Sequence, residues 1–218
     1  MKPVPIEKVY AILKREAVHY QVPVVDLIKM QTNDPFKVLI TTMLSARTKD
    51  QTTLGAAQRL FAKVKNFADL VKLSSKELEQ LIYPVGFYKT KAKHLKQLPL
   101  VMQEKFDNHI PQTIEELIQL PGVGRKTANL VVAVAFEKPG MCVDTHVHHI
   151  MNRLGYVKTK NPFQTEMALR KKLPILYWEK INSLLVAFGQ HLCTPVSPKC
   201  SVCPIYRYCN RVGVKTSR

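Results

Sequence analysis

Acidic residues are scarce in this chain: 16 Asp and Glu stand against 33 Lys and Arg, leaving 218 residues with a formal charge of +17. That balance lies outside the ordinary range for a soluble enzyme of small acidic metabolites and selects a polyanion as partner. Long uninterrupted apolar runs are also missing, which removes a membrane-spanning helix. The apolar residues fall at buried helical spacing, so a membrane surface is not the expected polyanion. No stretch alternates apolar and polar residues for long, so no strand is expected. Repeats and low-complexity segments are absent. No secretory signal pattern accompanies the cysteines, which weakens a disulfide reading and places the chain inside the cell.

What is present is concentrated near the C-terminus. Cys193, Cys200, Cys203 and Cys209 follow the spacing C-x6-C-x2-C-x5-C within 17 residues. Thiolates gathered so closely repel one another unless a cation or an iron-sulfur core neutralises them. Structural zinc usually takes two close pairs separated by a longer connection, whereas only Cys200 and Cys203 form a close pair here. From spacing alone, zinc and a cubane cluster both stay open, and two disulfides remain as a third alternative. Cys142 falls outside the spacing and reads as a buried free thiol.

With 46% apolar residues, the chain can bury one large core or two modest ones, and its periodicity is helical throughout. Ile6, Val9, Tyr10, Leu13 and Ala17 line one face of a first helix. Asp34-Pro35 supplies an N-cap and an N1 proline for an apolar helix over 36–44. Thr48 with Gln51, Ser74 with Glu77, and Thr113 with Glu116 have capping-box spacing. Pro84-Val85-Gly86 closes the group that Ser74 begins. A basic helix is expected from about Lys89, kinked or split by Pro99. Glu137-Lys138-Pro139-Gly140 is the main breaker of the second half and is taken as a crossing point between lobes. Helices are then expected after Asp144, after Asn161-Pro162, and from about Tyr177 to Cys193, with Val214 to Arg218 as a frayed basic tail.

Two segments carry candidate chemistry. Leu120 to Ala128 reads LPGVGRKTA, a hairpin between helices in which Gly122 and Gly124 permit a tight turn. Backbone amides and the positive end of the following helix dipole are then presented together, which suits a phosphate. An ordinary helix connector is the plainer alternative, with Lys126 as one more phosphate contact. Val143-Asp144-Thr145-His146 places an acid at a helix start, where its default job is an N-cap. Hairpin, lysine, aspartate, basic composition and four-cysteine loop together form a much rarer set than any one alone.

On the residues LPGVGRKTAN at 120–129, VDTH at 143–146 and the cysteine loop, the chain resembles the endonuclease III family, DNA glycosylases with lyase activity in the helix-hairpin-helix superfamily. The likeness spans nearly the whole length. It implies an all-α fold of two helical lobes, with a six-helix lobe over 28–138 that carries the hairpin. Residues 1–27 and 139–218 would form the second lobe, around a 4Fe-4S cluster held by Cys193, Cys200, Cys203 and Cys209. It also implies Lys126 as nucleophile and Asp144 as its acid/base partner, in a cleft between the lobes. A neutral lysine amine can displace the base at C1′ and leave a Schiff base that permits β-elimination. The helix N-terminus, Arg125 and a desolvated cleft would each disfavour the ammonium form.

The resemblance extends to the loops. Arg47, next to Thr48, stands where many relatives carry glutamine, and Phe87 stands where a leucine wedge is common; both would fill the space left by a flipped nucleotide. An arginine's donor pattern differs from glutamine's, which leaves the opposite-base preference open. Phe87 as plain core is the simpler alternative. Gly122, Val123, Gly124, Arg125, Thr48, Lys91 and His146 complete the expected DNA contacts. Lys89, Lys91, Lys93 and Lys96 read either as a solvated face or as a phosphate track. His148 and His149 are left as structural or phosphate-facing. The expected partner is double-stranded DNA carrying damaged bases or abasic sites, bound by a monomer. Two rivals remain: a monofunctional mismatch glycosylase, against which Lys126 argues, and a non-catalytic iron-sulfur DNA-binding protein.

Overall fold

Local capping chemistry sets most helix starts. In a computed structural model that describes residues 2–218, the Asp34 carboxylate accepts from Phe36 N at 2.9 Å and opens an eleven-residue helix. Ser74 and Glu77 form a complete capping box. Thr113 accepts from Glu116 N, and Asn161 from Gln164 N. Twelve α-helices result among the described residues: α1 (Ile6–Glu16), α2 (Val24–Thr32), α3 (Pro35–Ser45), α4 (Asp50–Lys63), α5 (Phe67–Lys72) and α6 (Ser75–Ile82), then α7 (Tyr88–Phe106), α8 (Ile114–Leu117), α9 (Arg125–Phe136), α10 (Thr145–Leu154), α11 (Pro162–Lys172) and α12 (Trp178–His191). No strand occurs among the described residues, and none of their helices is long and apolar enough to cross a membrane.

The chain divides into two compact units. Val24–Lys138 forms one, with α2 to α9. Its centre is α3, whose Val38, Leu39, Ile40 and Leu44 are wholly buried and which packs against α2, α4, α7 and α9. The chain up to Pro23 and Pro139–Arg218 form the other unit. There Ile6, Val9 and Leu13 of α1 join Val147 and Ile150 of α10, Leu185 and Phe188 of α12, and Ile205 of the cysteine loop in one core. The 27/28 boundary expected from the sequence falls inside α2, a helix that belongs entirely to the first of these units.

Three further expectations are corrected. Pro99 neither splits nor ends α7, which runs nineteen residues. Its ring is buried together with Leu98 and Met102, so packing outweighs the one backbone hydrogen bond a proline removes. Thr48 does not cap α4, whose N-cap is Lys49. Its hydroxyl is used elsewhere, as described below. The C-terminal tail is not frayed: Arg218 N donates to Pro198 O at 3.0 Å, and Ser201 N donates to Arg218 O at 3.1 Å.

Candidate functional site

In the unit 24–138, the glycine hairpin takes the shape its sequence implies. Gly122 adopts φ +77°, and Gly124 stands as N-cap of α9 without any side-chain cap. The positive end of the α9 dipole is therefore not neutralised by a capping side chain. Gly122 is required for a second reason: a Cβ there would run into the ring of His94, which packs under the turn from α7. Gly122→Ala thus combines a disfavoured backbone with a steric clash. We expect a loss of about 1–3 kcal/mol in stability and weaker binding of duplex DNA, read by thermal melting and fluorescence anisotropy. Wild-type values in both would remove the turn from the interface.

Val123 corrects an expectation. The residue is 5% exposed, and its N–H donates to Leu120 O within the turn, so its side chain and amide both hold the hairpin together. Arg125 is half-buried and Lys126 exposed in the first turn of α9.

The segment 44–49 and the turn 85–88 of the same unit are joined by an unusual set of contacts. Arg47 and Phe87 are exposed, and both adopt left-handed backbone, φ 54° and 57°. For residues with a Cβ, this conformation costs about 1 kcal/mol each. The Arg47 guanidinium lies over the Phe87 ring, 5.5 Å from its centroid, which is cation–π distance. Gly86 lets the two segments touch, since a Cβ there would sit 2.6 Å from Arg47 O. Thr48 Oγ1 accepts from Gly86 N at 3.1 Å. Beneath them lies Lys91, whose Nζ donates to Leu44 O at 2.7 Å, Ala46 O at 2.6 Å and Thr48 Oγ1 at 3.3 Å.

Lys91 therefore corrects a second expectation. It is only 8% exposed, unlike the solvent-facing lysine expected of a phosphate track, and caps the C-terminal carbonyls of α3 from another helix. Burial pushes its ammonium down to about 8, while the three acceptors favour the charged form. Removing it would leave carbonyls unpaired at about 1–3 kcal/mol apiece. Lys96 likewise donates to Val71 O and Leu73 O at the end of α5. Lys89 and Lys93 alone of that series are exposed.

In the other unit, Asp144 is the N-cap of α10, and its Oδ1 accepts from Val147 N at 2.8 Å. His146 is half-buried, its ring set against α12 where only a glycine, Gly189, leaves room. His148 bonds Thr165 Oγ1 at 2.7 Å, a structural use. Cys142 is a buried free thiol.

Cys193, Cys200, Cys203 and Cys209 are free thiols around one cavity, whose walls include Ile150, Leu154, Phe188 and Ile205. No three Cys, His, Asp or Glu side chains among the described residues are gathered tightly enough for a single metal ion. Four thiols lining one cavity form a donor set that a 4Fe-4S core fits. Burial pushes the Cys203 thiol up to about 11 and raises Cys193 and Cys209 as well, so a cationic core is needed to hold them as thiolates. Arg153, 5% exposed, donates to Cys193 Sγ at 3.2 Å and to the carbonyls of Thr194 and Pro195. Sequence reasoning passed over this residue, although its place between Ile150 and Leu154 on the buried face of α10 signalled a charge in need of partners. Asn210 donates to Leu154 O and Lys2 O, tying the N-terminal segment to the same loop.

Comparison with known proteins agrees with this geometry. Residues 40–175 match the model of the HhH-GPD superfamily base excision DNA repair protein, and 193–209 match the iron-sulfur binding domain of endonuclease III. The chain is 46% identical over 176 residues to endonuclease III of Thermotoga maritima, covering 81% of this chain and 83% of that one. Its fold resembles that of a non-covalent endonuclease III–DNA complex, with a TM-score of 0.84, 32% identity and 94% of each chain covered. A trapped endonuclease III–DNA covalent intermediate matches with a TM-score of 0.77 and 34% identity, over 86% of this chain and 92% of that one.

Proposed function

Because the chain belongs to the endonuclease III family of HhH-GPD base-excision DNA repair proteins, we propose specific roles for its own residues in that family's reaction. The protein is a DNA glycosylase and AP lyase with a 4Fe-4S cluster. The reading assigns it oxidised or ring-damaged pyrimidines in duplex DNA and has it act as a monomer inside the cell. The observation that carries the assignment is Lys126, exposed in the first turn of a helix whose N-terminus no side chain caps.

A phosphate of the DNA backbone is drawn to the amides around Gly122, Gly124 and Arg125. Lys126 Nζ then attacks C1′ of the flipped nucleotide, the C1′–N bond breaks, and the base departs with its electron pair. Closure of DNA over Lys126 excludes water from the amine and favours its neutral form. The Asp144 carboxylate takes the proton lost from the amine and offsets positive charge on the sugar. The C1′–O4′ bond then opens, O4′ taking a proton, to give the Schiff base, which acidifies the C2′ proton; loss of that proton expels the 3′ phosphate and breaks the strand. The cluster, when bound, supplies a rigid cross-link among four cysteines and a basic lobe around it. Arg153 holds Cys193 in place for it.

Asp144 has two jobs here, cap and catalyst, and one substitution separates them. Asparagine caps a helix as well as aspartate but carries no charge. Asp144→Asn is expected to keep the melting temperature within about 2 °C while single-turnover excision falls about 10²–10⁴-fold. A variant with wild-type excision would reduce Asp144 to an N-cap.

A further inference from the structure

Removing a base from a duplex requires the nucleotide to leave the stack and the gap to be held open. Within residues 24–138, Arg47 and Phe87 are a cation and an aromatic ring that are exposed, stacked on each other and fixed in left-handed backbone. Each segment closes a turn of its own, Thr48 N donating to Ser45 O at 3.0 Å and Tyr88 N to Val85 O at 3.1 Å, which sets the left-handed residue in each. The contacts that join the two turns to each other converge on one buried side chain. Lys91 reaches from the first turn of α7 to Leu44 O and Ala46 O on either side of Ser45, and to Thr48 Oγ1, which in turn accepts from Gly86 N. The segment before Arg47, the residue after it and the glycine before Phe87 are thus all tied to one ammonium.

We propose that Lys91 is a positioning residue for nucleotide extrusion: it fuses the 44–49 segment and the 85–88 turn into one wedge and presents Arg47 and Phe87 together. The proposal rests on the glycosylase reading above. Leu44 and Val85 anchor the two segments in the core, but the tips that Lys91 and Thr48 join carry the exposed Arg47 and Phe87, and Thr48 serves this link instead of capping α4. Lys91 touches neither the sugar nor the base; it acts through Arg47 and Phe87.

The test compares two substrates of the intact holoprotein. Dihydrouracil in a duplex must be extruded before excision, whereas an abasic site in a single-stranded oligonucleotide needs only the lyase step. Lys91→Met keeps the buried stem and removes the ammonium. It should slow single-turnover excision from the duplex by about 30-fold or more, as expected of a displaced positioning element, and change single-strand cleavage by less than about twofold. In an Arg47→Ala/Phe87→Ala background, Lys91→Met should add less than about twofold to the duplex defect, because the residues it acts through are gone. If Lys91→Met does not fold, Thr48→Val carries the same selective pattern at about fivefold. Equal slowing on both substrates, or a full further loss in the double-alanine background, would overturn the positioning role alone. A wild-type protein inert on both substrates would instead overturn the glycosylase reading and this proposal with it.

Discussion

Lys126→Gln should leave no borohydride-trapped complex with abasic duplex DNA and should lower single-turnover strand cleavage by at least about a thousandfold. Glutamine occupies similar space but has no nucleophilic amine, so neither displacement at C1′ nor Schiff-base formation is available to it. Binding should survive. Lys126 is one of 33 basic residues on a chain of charge +17, and the hairpin contacts phosphate through backbone amides that the substitution does not alter. Loss of a single positive charge should weaken duplex binding at moderate salt by no more than about tenfold. The combination of lost chemistry and kept affinity separates a nucleophile from a mere phosphate contact. A variant that still traps would move the nucleophile elsewhere; one that loses binding and cleavage in equal measure would make Lys126 a contact.

Cys200→Ser should have the largest effect on the protein itself. In the 193–209 loop only Pro198 and Ile205 are buried; Arg153 and the bond from Lys199 N to Leu192 O hold the loop, and Asn210 and Val212 anchor its end to Leu154 O and Arg153 O. Losing one thiolate ligand removes cluster-binding energy that is folding energy for the segment. We expect a loss of about 4 kcal/mol or more, seen as a melting temperature lower by roughly 8 °C or more in a chain of this size. Iron and sulfide content should fall far below stoichiometric. Arg207, Arg211 and Arg218 lie in or beside the loop, so its disorder should also cut DNA affinity. Full iron content together with unchanged melting would mean that Cys200 is not a ligand.

The legible parts of the fold were those whose chemistry is local. Asp34, Ser74, Thr113 and Asn161 cap helices two or three residues ahead of themselves, an interaction that sequence spacing reports directly. What escaped depends on distant partners. Thr48 has the spacing of a capping box, yet Gly86 and Lys91 compete for its hydroxyl. Lys91 reads as part of a basic run, but its acceptors lie more than forty residues earlier. One clue was visible: Lys91, Leu95, Leu98 and Met102 recur at helical spacing, which places the lysine on the buried stripe of α7. Pro99 does not split α7, because packing of its buried ring overrode a local rule. Arg153 escaped for the same reason as Lys91, since its partners on the cysteine loop lie forty residues downstream.

The candidate site was legible as motifs and less so as environment. The turn at Gly122 followed from its residues, but Val123 proved to be internal to it and Lys126 to be exposed before DNA arrives. Spacing alone left zinc and a cluster unresolved at the four cysteines. The match of 193–209 to the iron-sulfur binding domain of endonuclease III supplies what spacing did not.

The central claim is that a specific amine becomes bonded to DNA. Wild-type holoprotein reduced with borohydride on an abasic-site duplex, digested with a protease and nuclease, and mapped by mass spectrometry should show one sugar adduct, on the peptide that contains Lys126. An adduct on another lysine or on the N-terminal amine, or no adduct under conditions in which the strand is cleaved, would contradict it.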